Sequence, residues 1–124
     1  MLAEAGRQGV VLAGISAGMN CWFEGCSTDS YGPLATLPDG LGMLRGSACP
    51  HYDGEAEREA QYCGSVASGE LQAGWAVDDR AALLWRDGEL VEAVAEREGA
   101  RAFHVEPDGS GDTTQTPLEV RLLV

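Results

Sequence analysis

Basic residues are scarce: eight Lys and Arg stand against twenty Asp and Glu, for a formal net charge of -12. A surface so acidic repels phosphate backbones, which excludes nucleic acid as an expected partner. Long apolar runs are missing as well. No stretch approaches the roughly 18 residues of a membrane span, so no membrane partner is expected. Residues 1–9 carry Glu4 and Arg7 and lack the charged-then-apolar layout of a secretion signal, which makes a cytoplasmic location the expectation. Cys21, Cys26, Cys49 and Cys63 form no Cys-x-x-Cys pair and no Cys/His spacing of a zinc site. Free thiols and no metal are therefore expected, and nothing calls for a cofactor. Histidine occurs only at His51 and His104, which narrows the search for a general base to two positions.

What is present fits one small globular domain over residues 1–124, with 44% hydrophobic and 23% charged residues. Residues 1–9 read as the end of a helix, with Gly9 at its C-terminus. Val10-Val11-Leu12-Ala13 is a continuous apolar run of the kind found in a strand buried on both faces of a parallel sheet. A turn follows, and Met19 to Phe23 could begin a helix. Residues 24–50 are rich in Gly, Pro, Ser, Thr and Asp and read as loop, with a short strand expected at Leu41–Leu44. Glu55 to Ala67 has helical composition, stopped by Gly69. Beyond it the apolar period shortens. Strands are predicted at Trp75–Val77, Ala81–Trp85, Leu90–Ala95, Arg101–Val105 and Leu118–Leu123, with a hairpin turn at Asp87-Gly88. The predicted fold is α/β: a partial doubly wound, mainly parallel sheet followed by a C-terminal antiparallel extension. Only one or two parallel strands precede position 50. The sheet is thus expected to be incomplete on its N-terminal side, and the chain to be part of a larger protein or to complete its sheet with another chain.

Gly14-Ile15-Ser16-Ala17-Gly18 sits between the apolar run and the helix start. A strand–turn–helix elbow exposes a serine Oγ above a sheet, and its tightness demands small neighbours, which Gly14, Ala17 and Gly18 supply. A serine hydroxyl needs a base to take its proton. His51 follows Pro50 in a loop after a predicted strand, where catalytic side chains collect in α/β folds. His104 falls within a predicted strand. The third member should be a carboxylate that fixes the imidazole tautomer. Asp78 and Asp79 follow the strand Trp75–Val77 and are the candidates, with Asp29 and Asp53 as competitors. The Ala17 N–H at the helix start is placed to meet an oxyanion.

Several segments in order resemble one family. Ile15-Ser16-Ala17-Gly18-Met19-Asn20 is similar to the nucleophile segment of the peptidase E family (serine peptidase family S51). Cys21-Trp22-Phe23-Glu24 and Thr28-Asp29-Ser30-Tyr31-Gly32 resemble the stretch that follows it. Leu41–Leu44 with Cys49-Pro50-His51-Tyr52-Asp53 resembles the histidine segment, and Ala76–Ala82 an acidic segment further on. The resemblance runs from about Gly9 to the C-terminus and covers the C-terminal half of such a domain. It implies a class I glutamine amidotransferase-like, flavodoxin-like sheet. It also implies hydrolysis of short peptides, Asp-Xaa dipeptides among them, by Ser16, His51 and Asp79, with Asp78 as the alternative acid. By the same resemblance Asp29 lies near the active site and Arg58 meets a substrate carboxylate. The bland reading of Arg58 is a helix-face partner of Glu55 at i,i+3. The half of the domain that precedes the nucleophile strand in the family has no counterpart here. A truncated, inactive or partner-dependent remnant, a cyanophycinase-like hydrolase and an esterase or amidase remain open. A chain that folds alone is expected to form a homodimer or other homo-oligomer over its exposed sheet edge.

Overall fold

The structure is a computed structural model and describes residues 1–55 and 57–123. The chain opens with α1 (Leu2–Arg7), followed by Gly9 at φ 89°, and passes through an irregular segment to the single-turn helix α2 (Ala17–Asn20). Three short strands follow, β1 (Gly25–Thr28), β2 (Ala35–Leu37) and β3 (Ser47–Cys49). The longest helix is α3 (Arg58–Ser68), closed by Gly69 at φ 84°, a left-handed position that glycine takes without steric cost. The remainder is strand: β4 (Gly74–Val77), β5 (Ala81–Arg86), β6 (Glu89–Ala95), β7 (Ala102–Pro107), β8 (Thr113–Pro117) and β9 (Val120–Leu122).

The architecture is α/β, with a six-stranded sheet in the order β2-β1-β3-β4-β7-β8 and a three-stranded sheet in the order β5-β6-β9. The large sheet is mixed rather than mainly parallel. Only β1–β3 and β3–β4 are parallel; β1–β2, β4–β7 and β7–β8 are antiparallel. The tail expected as one antiparallel extension divides. β7 and β8 widen the large sheet, whereas β5 and β6 form the hairpin turned by Asp87-Gly88 and pair in parallel with β9.

Side-chain alternation assigns the faces of the large sheet. Cys49, Ala76 and Val105 point to α3 and pack with its Tyr62 and Val66, both fully buried one turn apart. Burying each such side chain contributes about 1.5–3 kcal/mol. Cys26, Ala48 and Trp75 point the other way, to Phe23, Met19 and Trp22 around α2 and to Trp85 of the small sheet. Val77 continues that face against Ala93 and Ala102. Helix α3 thus covers one side, while α2 and the small sheet cover the other.

Two expected strands do not form. Val10–Ala13 forms no regular element and pairs with no strand among the described residues, and Val11 is 90% exposed. An apolar run becomes a buried strand only where neighbouring strands receive its backbone, and none lies beside it. Leu41–Leu44 is irregular, because its amides are spent on α2 and the turn after it: Leu41 N–H donates to the Cys21 carbonyl and Leu44 N–H to the Trp22 carbonyl. The strand lies three residues later, at β3.

Candidate active site

Parallel pairing brings the site together. β3 and β4 run side by side with Cys49 opposite Ala76, so their C-terminal ends open at the same sheet edge. His51 stands two residues beyond the end of β3 and Asp79 two beyond the end of β4. This is where open α/β sheets place ligands. Two hydrogen bonds stitch the loops to each other. Tyr52 N–H donates to the Val77 carbonyl at 3.1 Å, and Asp79 N–H donates to Asp53 Oδ1 at 2.8 Å. The turn closes with Gly54 N–H on the His51 carbonyl at 3.1 Å.

Ser16 meets this pair from the start of α2. Its Oγ lies 2.8 Å from His51 Nε2, and His51 Nδ1 lies 2.6 Å from Asp79 Oδ1. An ionised carboxylate only accepts, so Nδ1 carries the proton and Nε2 is left to accept from the serine hydroxyl. The His51 and Asp79 side chains are 31% and 44% exposed, which leaves the constellation open to a substrate. Ser16 has φ 58° and ψ -119°, an uncommon conformation for a residue with a side chain, and His51 and Arg80 are also at positive φ. Strain of this kind costs on the order of 1–3 kcal/mol per residue and clusters at functional sites. Gly14 makes the elbow possible, since a Cβ there would overlap the Gly18 carbonyl. Ser16 C=O accepts from Met19 and Asn20 N–H at 2.9 and 3.1 Å, which starts α2. The first amides of a helix have no intrahelical acceptor, so the Ala17 N–H beside Ser16 is free of the helix.

The other candidates lie elsewhere. Asp78 is buried with its Oδ2 on the Arg101 backbone N–H at 2.9 Å and Arg101 Nε at 3.1 Å, and so it faces β7 rather than His51. His104 tilts over Trp75, ring centroids 4.6 Å apart, in the face packed against the small sheet. Arg58 is 2% exposed. Its guanidinium donates to the Ser27 carbonyl at 2.9 Å and Glu55 Oε2 at 2.8 Å, and Asp29 Oδ1 lies 3.9 Å away. The i,i+3 pairing with Glu55 is present, but Glu55 lies ahead of α3 and only the guanidinium is buried, the Glu55 carboxylate being 41% exposed. Burial pushes the Cys26 and Cys49 thiols up from their ordinary range, so both stay protonated and unreactive. Among the described residues no three His, Cys, Asp or Glu side chains gather as a metal site, and no helix is long and apolar enough to cross a membrane.

Sequence reasoning weighed Asp53 as a competitor for the third member and gave Gly54 no role. Asp53 instead accepts the Asp79 amide, with Arg97 3.5 Å from its other oxygen. Gly54 packs so closely on the Asp79 carboxylate that a Cβ there would overlap Oδ2. The adjacency of both to His51 was the only signal in the sequence.

Residues 1–93 match the sequence profile described as peptidase family S51. The chain is 46% identical over 123 residues to a Bacillus subtilis (strain 168) protein named uncharacterized peptidase YgaJ. The alignment takes in 99% of this chain and 53% of that protein, so the chain spans about half the length of the curated relative it matches. No solved structure matches the chain. On its profile match and its curated relative, the chain belongs to peptidase family S51.

Proposed function

We propose that Ser16, His51 and Asp79 form the catalytic triad of a serine peptidase that cleaves short peptides, Asp-Xaa dipeptides among them, through an acyl-enzyme. The observation that carries this reading is the unbroken line from Ser16 Oγ through both ring nitrogens of His51 to Asp79 Oδ1. Ser16 Oγ attacks the scissile carbonyl carbon as His51 Nε2 takes its proton. The Asp79 carboxylate holds the tautomer and stabilises the imidazolium. The Ala17 N–H donates to the developing oxyanion. His51 then protonates the leaving amine, and water repeats the cycle on the acyl-enzyme. The resemblance to class I glutamine amidotransferase-like domains supplies the sheet in which this elbow would sit.

The test is release of p-nitroaniline from Asp-p-nitroanilide by the chain and by Ser16→Ala. Turnover that vanishes in the variant is the expected result, since loss of a nucleophile costs on the order of 10⁶-fold. Equal turnover in both would remove Ser16 from the mechanism. A second substitution probes the packing around the acid. Gly54→Ala is expected to displace the Asp79 carboxylate and lower kcat by about 10²-fold, the scale of an ångström-sized misplacement. Gly54 is not at positive φ, so thermal denaturation should change little.

A second reading is favoured by one observation. From Val11 to Gly14 the backbone makes no hydrogen bond to other backbone among the described residues, and Ile15 is 85% exposed. On this reading the centre works only when another polypeptide pairs along that segment. A folded chain that is silent with Asp-p-nitroanilide and gains Ser16-dependent turnover on mixing with such a polypeptide would establish it.

A further inference from the structure

Asp79 sits on a strained, half-open turn. Arg80, the next residue, has φ 69°, in the left-handed region that side chains disfavour. The Asp79 side chain is 44% exposed, so little packing fixes its carboxylate beyond the close contact with Gly54. The turn is therefore held by its backbone. Both ends are tied to the segment between β6 and β7. Asp78 N–H donates to the Arg101 carbonyl at 2.9 Å, and Glu96 N–H donates to the Arg80 carbonyl at 3.0 Å. The middle of the turn is held differently. Asp79 N–H has a side chain as its acceptor, Asp53 Oδ1 at 2.8 Å.

Asp53 belongs to the turn that carries His51. It follows that residue by two, inside the turn closed by Gly54 N–H on the His51 carbonyl. Its carboxylate thus reaches 26 residues along the chain and ties the His51 turn to the backbone of Asp79 itself. The bond from Tyr52 N–H to the Val77 carbonyl joins the same two turns, but it stops two residues short of Asp79. The other Asp53 oxygen, Oδ2, faces Arg97 Nη2 at 3.5 Å. Arg97 is 53% exposed, where an ion pair is screened by water and contributes little. The link that reaches Asp79 is the Oδ1 bond, and it needs an acceptor oxygen rather than a charge.

We propose that Asp53 is a positioning residue for the triad. By accepting the Asp79 amide it holds that carboxylate 2.6 Å from His51 Nδ1, and with it the tautomer of the ring. The inference rests on the catalytic reading of Ser16, His51 and Asp79, but it has a readout that needs no turnover. A neutral imidazole free in water prefers its proton on Nε2. Set against a carboxylate at Nδ1, it carries the proton there instead. When Asp79 drifts, the ring returns toward the Nε2–H form, which cannot accept from Ser16. A displacement of an ångström costs on the order of 10²-fold in rate.

The experiment is ¹⁵N NMR of protein made with ring-labelled histidine, at alkaline pH where imidazoles are neutral. Only two histidines contribute, and the ring that responds to Asp79→Asn is His51. The parent, Asp53→Ala, Asp53→Asn and Arg97→Gln are compared. The parent is expected in the Nδ1–H form. Asp53→Ala is expected to move toward Nε2–H, and its kcat with Asp-p-nitroanilide to fall by about 10²-fold with KM little changed. Asp53→Asn keeps an acceptor oxygen and should restore both the tautomer and most of the rate, while Arg97→Gln should match the parent. Asp53 is an exposed residue, so all four should melt together. A parental tautomer in Asp53→Ala, or an Asp53→Asn ring displaced as far as that of Asp53→Ala, would overturn the assignment. Labelling of Ser16 by a fluorophosphonate, read by intact mass, reports separately on the nucleophile. Failure there with the tautomer response intact would fault the catalytic reading and not the hold of Asp53 on Asp79.

Discussion

Replacing Asp79 by asparagine is expected to lower turnover of Asp-p-nitroanilide by about 10⁴-fold in a protein that remains folded. The carboxylate lies 2.6 Å from His51 Nδ1 and can only accept there. The introduced carboxamide can instead present its NH₂, which favours the tautomer with the proton on Nε2. That nitrogen would then be unable to accept from Ser16. Even the other rotamer loses the negative charge that stabilises the imidazolium. The backbone of Asp79 keeps its bond to Asp53, so the loop should hold. Asp78→Asn is the matched control, one residue earlier. Its carboxylate accepts twice from Arg101 and faces away from His51, so the expected cost is in thermal stability and not in rate. Steady-state kinetics and melting curves on both variants check the assignment. If the two variants exchanged effects, the orienting acid would be Asp78.

Arg58→Ala is expected to be the most destabilising of these changes, by about 3 kcal/mol. The guanidinium is 2% exposed and supplies the Ser27 carbonyl with a donor in the interior. Without it that buried carbonyl keeps only the longer bond from Asn20 Nδ2 at 3.2 Å, Glu55 loses its partner, and a large void opens between α3 and β1. For a domain of this size the loss corresponds to a fall in melting temperature of about 12 °C. Arg58→Lys keeps the charge but not the fork that reaches both acceptors at once, and its expected loss is smaller. An Arg58→Ala protein that melts with the parent would show that the guanidinium network contributes nothing.

The legible parts of the fold were those where apolar period and turn chemistry agree. The helix ending at Gly69, the strand ending before Asp78 and the Asp87-Gly88 hairpin all appear where residue pattern places them. Ser16 and His51 also stand where element ends could be read, whereas residue pattern left Asp78 and Asp79 open and only the family resemblance favoured Asp79, the carboxylate that lies on His51. β1 and β2 escaped because their burial is polar. Ser27 bonds Gln61 at 2.5 Å, Thr36 bonds Ser65 at 2.6 Å and Ser47 bonds Tyr62 at 2.7 Å across the interface with α3. A seam sealed by hydroxyls looks like loop to any reading based on hydrophobicity. Val10–Ala13 failed in the opposite way. Its residues carry the right apolar run, but a strand is a relation between segments, and no composition guarantees the second one. β8 was missed because Thr-Thr-Gln-Thr-Pro offers almost nothing apolar to alternate.

The two halves of the constellation differ in how firmly they are anchored. His51 and Asp79 extend from parallel strands locked to each other, whereas Ser16 hangs from a stretch whose amides have no acceptor in any ladder. Hydrogen exchange would see this as slow exchange at β3 and β4 beside rapid exchange from Val11 to Gly14. On the proposed mechanism His51 and Asp79 are then a standing pair, and the fraction of molecules competent at any instant is the fraction in which the serine arm is in register with them. Apparent activity scales with that fraction. On the proposed function, whatever orders the arm without touching Ser16, His51 or Asp79 would act as an activator.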